Sequence, residues 1–166
     1  MAQENTPSSA DSQKTLGWIL EASTAFLDKR GIESSRLAVE HLAARLLRCP
    51  RLELPLTYGK ILPEKLVEAM RRGITRVGTG EPLQYVLGQW DFRSLTLKTD
   101  KRALVPRPET EELVQLLLDC VPLRAVKAPR ILDYGTGSGC IALSIAVERS
   151  DARVIGVDIS EDALSL

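Results

Sequence analysis

Histidine occurs once, at His41, and cysteine three times, at Cys49, Cys120 and Cys140, within 166 residues. A Ser-His-Asp hydrolase would have to be built on His41, which falls within a helical pattern and reads as a helix-surface residue. The cysteines are far apart and form no Cys-x-x-Cys pair. That spacing argues against a disulfide framework or a zinc site and suits a reducing cytoplasm, so no metal is expected. Charge of one sign is also lacking: Lys and Arg number 22, and so do Asp and Glu. A neutral chain gives no electrostatic case for nucleic acid or an anionic membrane as its main partner. No apolar run approaches the roughly 20 residues that span a bilayer. Met1 to Lys14 holds Glu4 and Asp11 but no apolar stretch, which fits neither a secretory signal nor a transit peptide. With nothing to bury, residues 1–14 read as a disordered tail.

From Thr15 to Thr79 the apolar residues recur at helical spacing. Leu16, Ile19, Leu20, Phe26 and Leu27 mark a first helix, closed by Gly31. Leu37, Leu42, Leu46 and Leu47 mark a second, with Ser34 as its N-cap and Pro50 beyond its end. A third starts near Pro63 and carries Leu66, Val67, Met70 and Ile74. The character changes at Gly80. Between Gln84 and Leu104, the alternation Leu95-Thr96-Leu97-Lys98-Thr99 and the breaks at Gly88 and Arg93-Ser94 predict a β-hairpin. Glu109 to Val121 is helical again, with Leu113, Leu116 and Leu117 on one face and acidic residues in its first turn. The remainder reads strand (Arg130–Asp133), glycine loop, helix (Cys140–Glu148), strand (Arg153–Asp158), then a helix capped by Ser160. A single βαβ unit needs further strands and helices to cover both sheet faces, so the expectation is a chain cut within a domain. The resulting division is a tail (1–14), a helical domain (15–80), a hairpin linker (81–107) and the start of an α/β domain (108–166).

The segment Ile131-Leu132-Asp133-Tyr134-Gly135-Thr136-Gly137-Ser138-Gly139-Cys140 carries the chemistry. Glycines between a strand and a helix permit positive φ and let a ligand approach the backbone without meeting a Cβ. The helix start adds unpaired N–H groups, and the ligand crevice of an open α/β sheet lies at this strand end. A dinucleotide fingerprint requires Gly-x-Gly-x-x-Gly/Ala, but Cys140 stands at the sixth position. A phosphate-binding P-loop requires Gly-Lys-Ser/Thr, and the loop has no lysine. Asp133, two residues before the first glycine, is placed to receive the positively charged amino group of a methionine moiety. Asp158 stands 23 residues beyond Gly135, near the spacing of about 20 at which an acid holds ribose hydroxyls. The bland alternative is a plain turn and a plain helix cap.

A second segment runs Gly80-Glu81-Pro82-Leu83-Gln84-Tyr85-Val86-Leu87-Gly88, then Phe92, then Leu104-Val105-Pro106-Arg107-Pro108-Glu109-Thr110-Glu111. Together with the glycine loop it resembles the release-factor glutamine N5-methyltransferases, the HemK family, from about Thr15 onward. The resemblance implies an α/β protein with an N-terminal helical bundle, a hairpin linker and the start of a class I (Rossmann-like) methyltransferase domain that uses S-adenosylmethionine. The implied reaction methylates the glutamine amide in the Gly-Gly-Gln motif of class 1 peptide chain release factors, in the cytoplasm. Gly135, Thr136, Gly137, Ser138 and Gly139 would line the cofactor, and Asp158 would bind its ribose. Arg107, Glu109 and Thr110 belong to the family pattern near the methionine end, or else cap a helix at a rigid corner. Phe92 would lie over the pocket, or else in the core. The family's Asn-Pro-Pro-Tyr motif, which holds the target amide, does not occur, so no catalytic residue is assigned and the chain alone is expected to be inactive. Two alternatives within the class act on a ribosomal-protein glutamine and on adenine in DNA. The relatives acting on the ribosomal protein carry Arg-Ser-Pro where this chain has Arg107-Pro108-Glu109. A third alternative is a binding fragment without catalysis.

Overall fold

Thr15 opens the first helix of the computed structural model, which describes residues 15–166; the expected tail lies outside the described residues. The Thr15 hydroxyl accepts the Trp18 N–H at 3.3 Å and caps α1 (Leu16–Asp28). Two further first-turn N–H groups are satisfied from a distance. Leu16 N donates to the Lys60 carbonyl and Gly17 N to that of Tyr58, at 2.8 and 2.9 Å. Leu16, Leu20 and Leu27 are fully buried along one stripe.

The second helix, α2 (Ser35–Leu47), corrects the expected cap. Ser34 has φ of 54° and makes no side-chain capping bond; Ser35 instead donates its hydroxyl to the Ile32 carbonyl at 2.6 Å. A 3₁₀ helix follows at Arg51–Thr57, an interruption that helical periodicity did not show. It buries Leu54 and is tied to α2 by Glu40, which accepts from Arg36 and Arg51 at 2.7 and 2.9 Å. The third helix, α3 (Glu64–Gly78), buries Met70, Gly73, Ile74 and Val77.

Pro82 starts a short helix, α4 (Leu83–Leu87), where the strand-like stretch was expected to begin. The Pro82 carbonyl accepts from Tyr85 N and Val86 N at 3.0 and 3.2 Å, and this turn wins over the extended chain. The chain divides into two compact units, the first ending at Val86 and the second spanning Leu87–Leu166.

The second unit opens with an antiparallel hairpin of β1 (Gln89–Phe92) and β2 (Leu95–Lys98), in register Gln89↔Lys98 to Phe92↔Leu95. Its two-residue turn places Arg93 at φ 51°, the positive φ that such turns demand. The Arg93 side chain holds it there. Its guanidinium donates to both Glu148 carboxylate oxygens at 2.6 and 2.7 Å, to the Glu111 carbonyl at 3.0 Å and to the Gln115 side chain at 2.8 Å.

Two helices follow, α5 (Pro108–Asp119) and α6 (Val121–Ala125). The inward residue of α5 is Val114, fully buried, whereas Leu113, Leu116 and Leu117 are 45%, 69% and 37% exposed. The leucine stripe therefore lies on the other face from the one this unit buries. Next come β3 (Arg130–Tyr134), α7 (Cys140–Glu148), β4 (Arg153–Val157) and α8 (Glu161–Leu164). The strands pair in parallel, Arg130↔Arg153 to Tyr134↔Val157. Ser160 caps α8 as expected, accepting from Ala163 N at 3.2 Å. The core joins Phe92, Leu97, Val114 and Ile145, with Ile131, Ile141 and Val154 packed against it. One sheet face is thus covered, while Leu132 and Ile155, paired on the other, remain 61% and 53% exposed.

Candidate functional site

The glycine loop is fixed at three points, each traceable to a particular residue. Gly135 N and Thr136 N both donate to the Val157 carbonyl, at 2.8 and 2.9 Å, which draws the loop over the end of β4. Thr136 then donates its hydroxyl to Asp133 Oδ2 at 2.7 Å, and the same oxygen accepts Ala142 N from the first turn of α7 at 3.2 Å. Asp133 thereby caps a helix from the preceding strand. The third point is Asp158, whose two oxygens accept Gly137 N at 2.8 Å and Ser160 N at 2.9 Å.

Those N–H groups hold the half-buried Asp158 carboxyl below its ordinary range, Ser160 contributing most and Gly137 next. It stays ionised near neutrality and offers its remaining lone pairs to hydroxyl donors. Burial pushes the Cys140 thiol up, the reverse of what a nucleophile or metal ligand needs. Among the described residues no group of three His, Cys, Asp or Glu is placed to hold a metal.

The loop also fits a ligand sterically. Gly135 and Gly137 have φ of 80° and 54°, and a Cβ added at either would meet no heavy atom within 4 Å. These glycines leave open space above the backbone, as Gly31, Gly80 and Gly88 also do; here that space forms a cradle between a strand end and a helix start. Gly139 (φ 76°) serves packing as well, since a Cβ there would lie 3.2 Å from Leu143.

Of the sequence-derived candidates, Gly135, Thr136, Gly137, Ser138, Gly139, Asp133 and Asp158 share this one loop and its two strand ends. Asp133 Oδ2 is engaged within the loop, so its reading as receiver of an amino group narrows to Oδ1. Arg107 occupies the N-cap position of α5, with Glu109 in the first turn, and the Arg107 carbonyl accepts Thr110 N at 3.0 Å. None of these three side chains forms a hydrogen bond or ion pair among the described residues. Phe92 is 1% exposed in the core. Of its two readings the core aromatic fits, because Phe92 packs with Leu97, Val114 and Ile145.

Sequence reasoning missed three features. Thr136 acts as the bridge to Asp133, and Gly156 makes room for it, since a Cβ at 156 would lie 2.8 Å from the Thr136 hydroxyl. Ile159, directly after Asp158, is fully exposed and Tyr134 88% exposed, apolar groups beside the cradle. Tyr134 ends β3 and Ile159 lies two residues beyond β4, where alternation no longer implies burial.

The family model for the PrmC N-terminal domain matches residues 19–88, and that for a methyltransferase domain matches residues 125–166. The second unit accordingly contains, from residue 125 onward, methyltransferase-domain sequence. The chain is 39% identical over 160 residues to a release factor glutamine methyltransferase of Rhodopirellula baltica, covering 95% of this chain and 54% of the relative. It is 36% identical over 151 residues to one of Chlorobaculum tepidum, covering 89% and 51%. The human MTRF1L release factor glutamine methyltransferase is 36% identical over 150 residues, covering 86% and 44%. The chain thus resembles the release factor glutamine methyltransferases, with a PrmC N-terminal domain match followed by a methyltransferase domain match. It spans about half the length of these relatives.

Proposed function

We propose that this chain supplies the cofactor cradle and the partner-recognition unit of an enzyme that methylates the glutamine amide in the Gly-Gly-Gln motif of class 1 peptide chain release factors. The observation that carries the reading is the open cradle at Gly135 and Gly137, tied through Gly137 N to the ionised Asp158. S-adenosylmethionine, when bound, supplies a methyl group activated by its sulfonium charge. Gly135, Thr136, Gly137, Ser138 and Gly139 line it, and Asp158 accepts its ribose hydroxyls. Ile159 offers an apolar surface beside that acid. Asp133 keeps the loop in shape through Oδ2 and presents Oδ1. Arg107, Glu109 and Thr110, whose side chains have no hydrogen-bond or ion-pair partner among the described residues, are available for the methionine end.

On this reading residues 15–80 form the recognition domain, 81–107 the connection and 108–166 the first part of the cytoplasmic enzyme's methyltransferase domain. The 166 residues contain no Asn-Pro-Pro-Tyr. Holding a reactive amide in line contributes about 7–11 kcal/mol of barrier lowering. The chain alone is therefore expected to transfer no methyl, while one extended by a relative-like C-terminal half does. Labelled S-adenosylmethionine and a release factor test this. Label should enter the Gly-Gly-Gln glutamine with the extended chain and vanish when that glutamine becomes alanine. Equal labelling of the alanine variant would refute the substrate, and equal labelling by the 166-residue chain would refute the division of labour.

A further inference from the structure

We infer that the open groove between α1 and α3 is the seat of an acidic amphipathic helix of the protein substrate. This rests on the proposed function, to which it adds the surface and the chemistry of contact. The groove has a volume of about 240 Å³, and every residue lining it comes from those two helices. Such a space is smaller than the roughly 300–1,000 Å³ of a small-molecule pocket. Its walls are Trp18 and Phe26 from α1 and Val67, Met70 and Ile74 from α3. Trp18, Ala22 and Phe26 recur every four residues, so they form one ridge along the helix. A groove flanked by helical ridges receives a third helix through residues at i, i+3 or i+4 and i+7. Trp18, 47% exposed, is the large aromatic that anchors such contacts.

The charge selects the occupant. Arg71 lines the groove and forms no hydrogen bond or ion pair among the described residues. Arg30 does not line the groove, but its guanidinium lies 3.6 Å over the ring of Phe26, which does. No carboxylate is among the lining residues. From Thr15 to Val86, eleven lysines and arginines face eight aspartates and glutamates, so this unit is net positive within a neutral chain. A helix with carboxylates beside an apolar stripe complements both features, and a basic helix is repelled.

Calorimetric titration of the 166-residue chain with a class 1 release factor tests the assignment. Three variants accompany the wild type: Arg71→Glu, Ala22→Trp and Arg45→Glu. All three positions are exposed, and Arg45 lies on α2 away from the groove. Arg71→Glu and Ala22→Trp should each weaken binding about tenfold or more, the first by reversing a rim charge and the second by plugging the groove. Arg45→Glu should stay within about twofold. Wild-type binding that both groove variants retain would overturn the groove and leave the proposed function standing. Equal weakening by Arg45→Glu would reduce the effect to general charge attraction and overturn it too. No binding by the wild-type chain would remove the release factor as partner, and the groove's role with it.

Discussion

Two pairs of glycines, one in each unit, serve opposite purposes. In the helical unit, Gly73 and Gly78 have no positive φ but sit where a Cβ would lie 2.4 Å from Leu42 and 2.9 Å from Phe26. Their missing side chains are filled by neighbours. At the cradle, Gly135 and Gly137 have positive φ and nothing within 4 Å. Space left by the first pair is consumed by packing, and space left by the second is kept open. A substitution in one place should therefore act on stability, and in the other on a ligand.

The largest effect that would sharpen this contrast is expected at Gly137. Gly137→Val places a β-branched residue at φ 54° and a side chain in the cradle. S-adenosylmethionine affinity, measured on the extended chain, should fall about a hundredfold or more. Asp158→Ala should cost about tenfold or more, since it removes a charged acceptor and releases Gly137 N. Affinity unchanged in both would remove the loop from the binding site. Gly73→Val tests the other half of the comparison. Overpacking against Leu42 should lower stability by roughly 1–3 kcal/mol in denaturant unfolding, with cofactor affinity within about twofold. Loss of affinity with intact stability would break the contrast. The smallest effect is that of pH. The folded Asp158 carboxyl titrates below its unfolded range, so its contribution is complete above about pH 4. It fades as pH falls through the lowered folded value. Affinity should thus be level from pH 8 to about pH 5; a decline centred near neutrality would assign the titration to another group.

Much of this was legible from residue order, for stated reasons. The run Leu132-Asp133-Tyr134-Gly135-Thr136-Gly137 reads as a strand meeting a glycine turn, and the structure has that strand and the positive φ at both glycines. Alternation at Leu95–Thr99 marked the hairpin. What escaped depends on contacts distant in sequence. Ser34 looked like a cap, yet the backbone there turns left-handed and the work passes to Ser35. Phe92 stood in a family pattern that did not say which neighbours enclose it. Leu113, Leu116 and Leu117 formed a stripe, but the sheet and hairpin take Val114. No local rule reveals that Gly156 makes room for Thr136.

The central claim is that the open glycines and Asp158 form a cofactor site while the helical unit does not. Amide chemical shifts recorded as S-adenosylmethionine is titrated into the wild-type chain test it most directly. Saturable changes are expected at Gly135, Gly137, Gly139 and Ser160, with Trp18, Gly73 and Gly78 unmoved. Changes centred on α1 and α3, or a cradle that stays silent at saturating ligand, would contradict it.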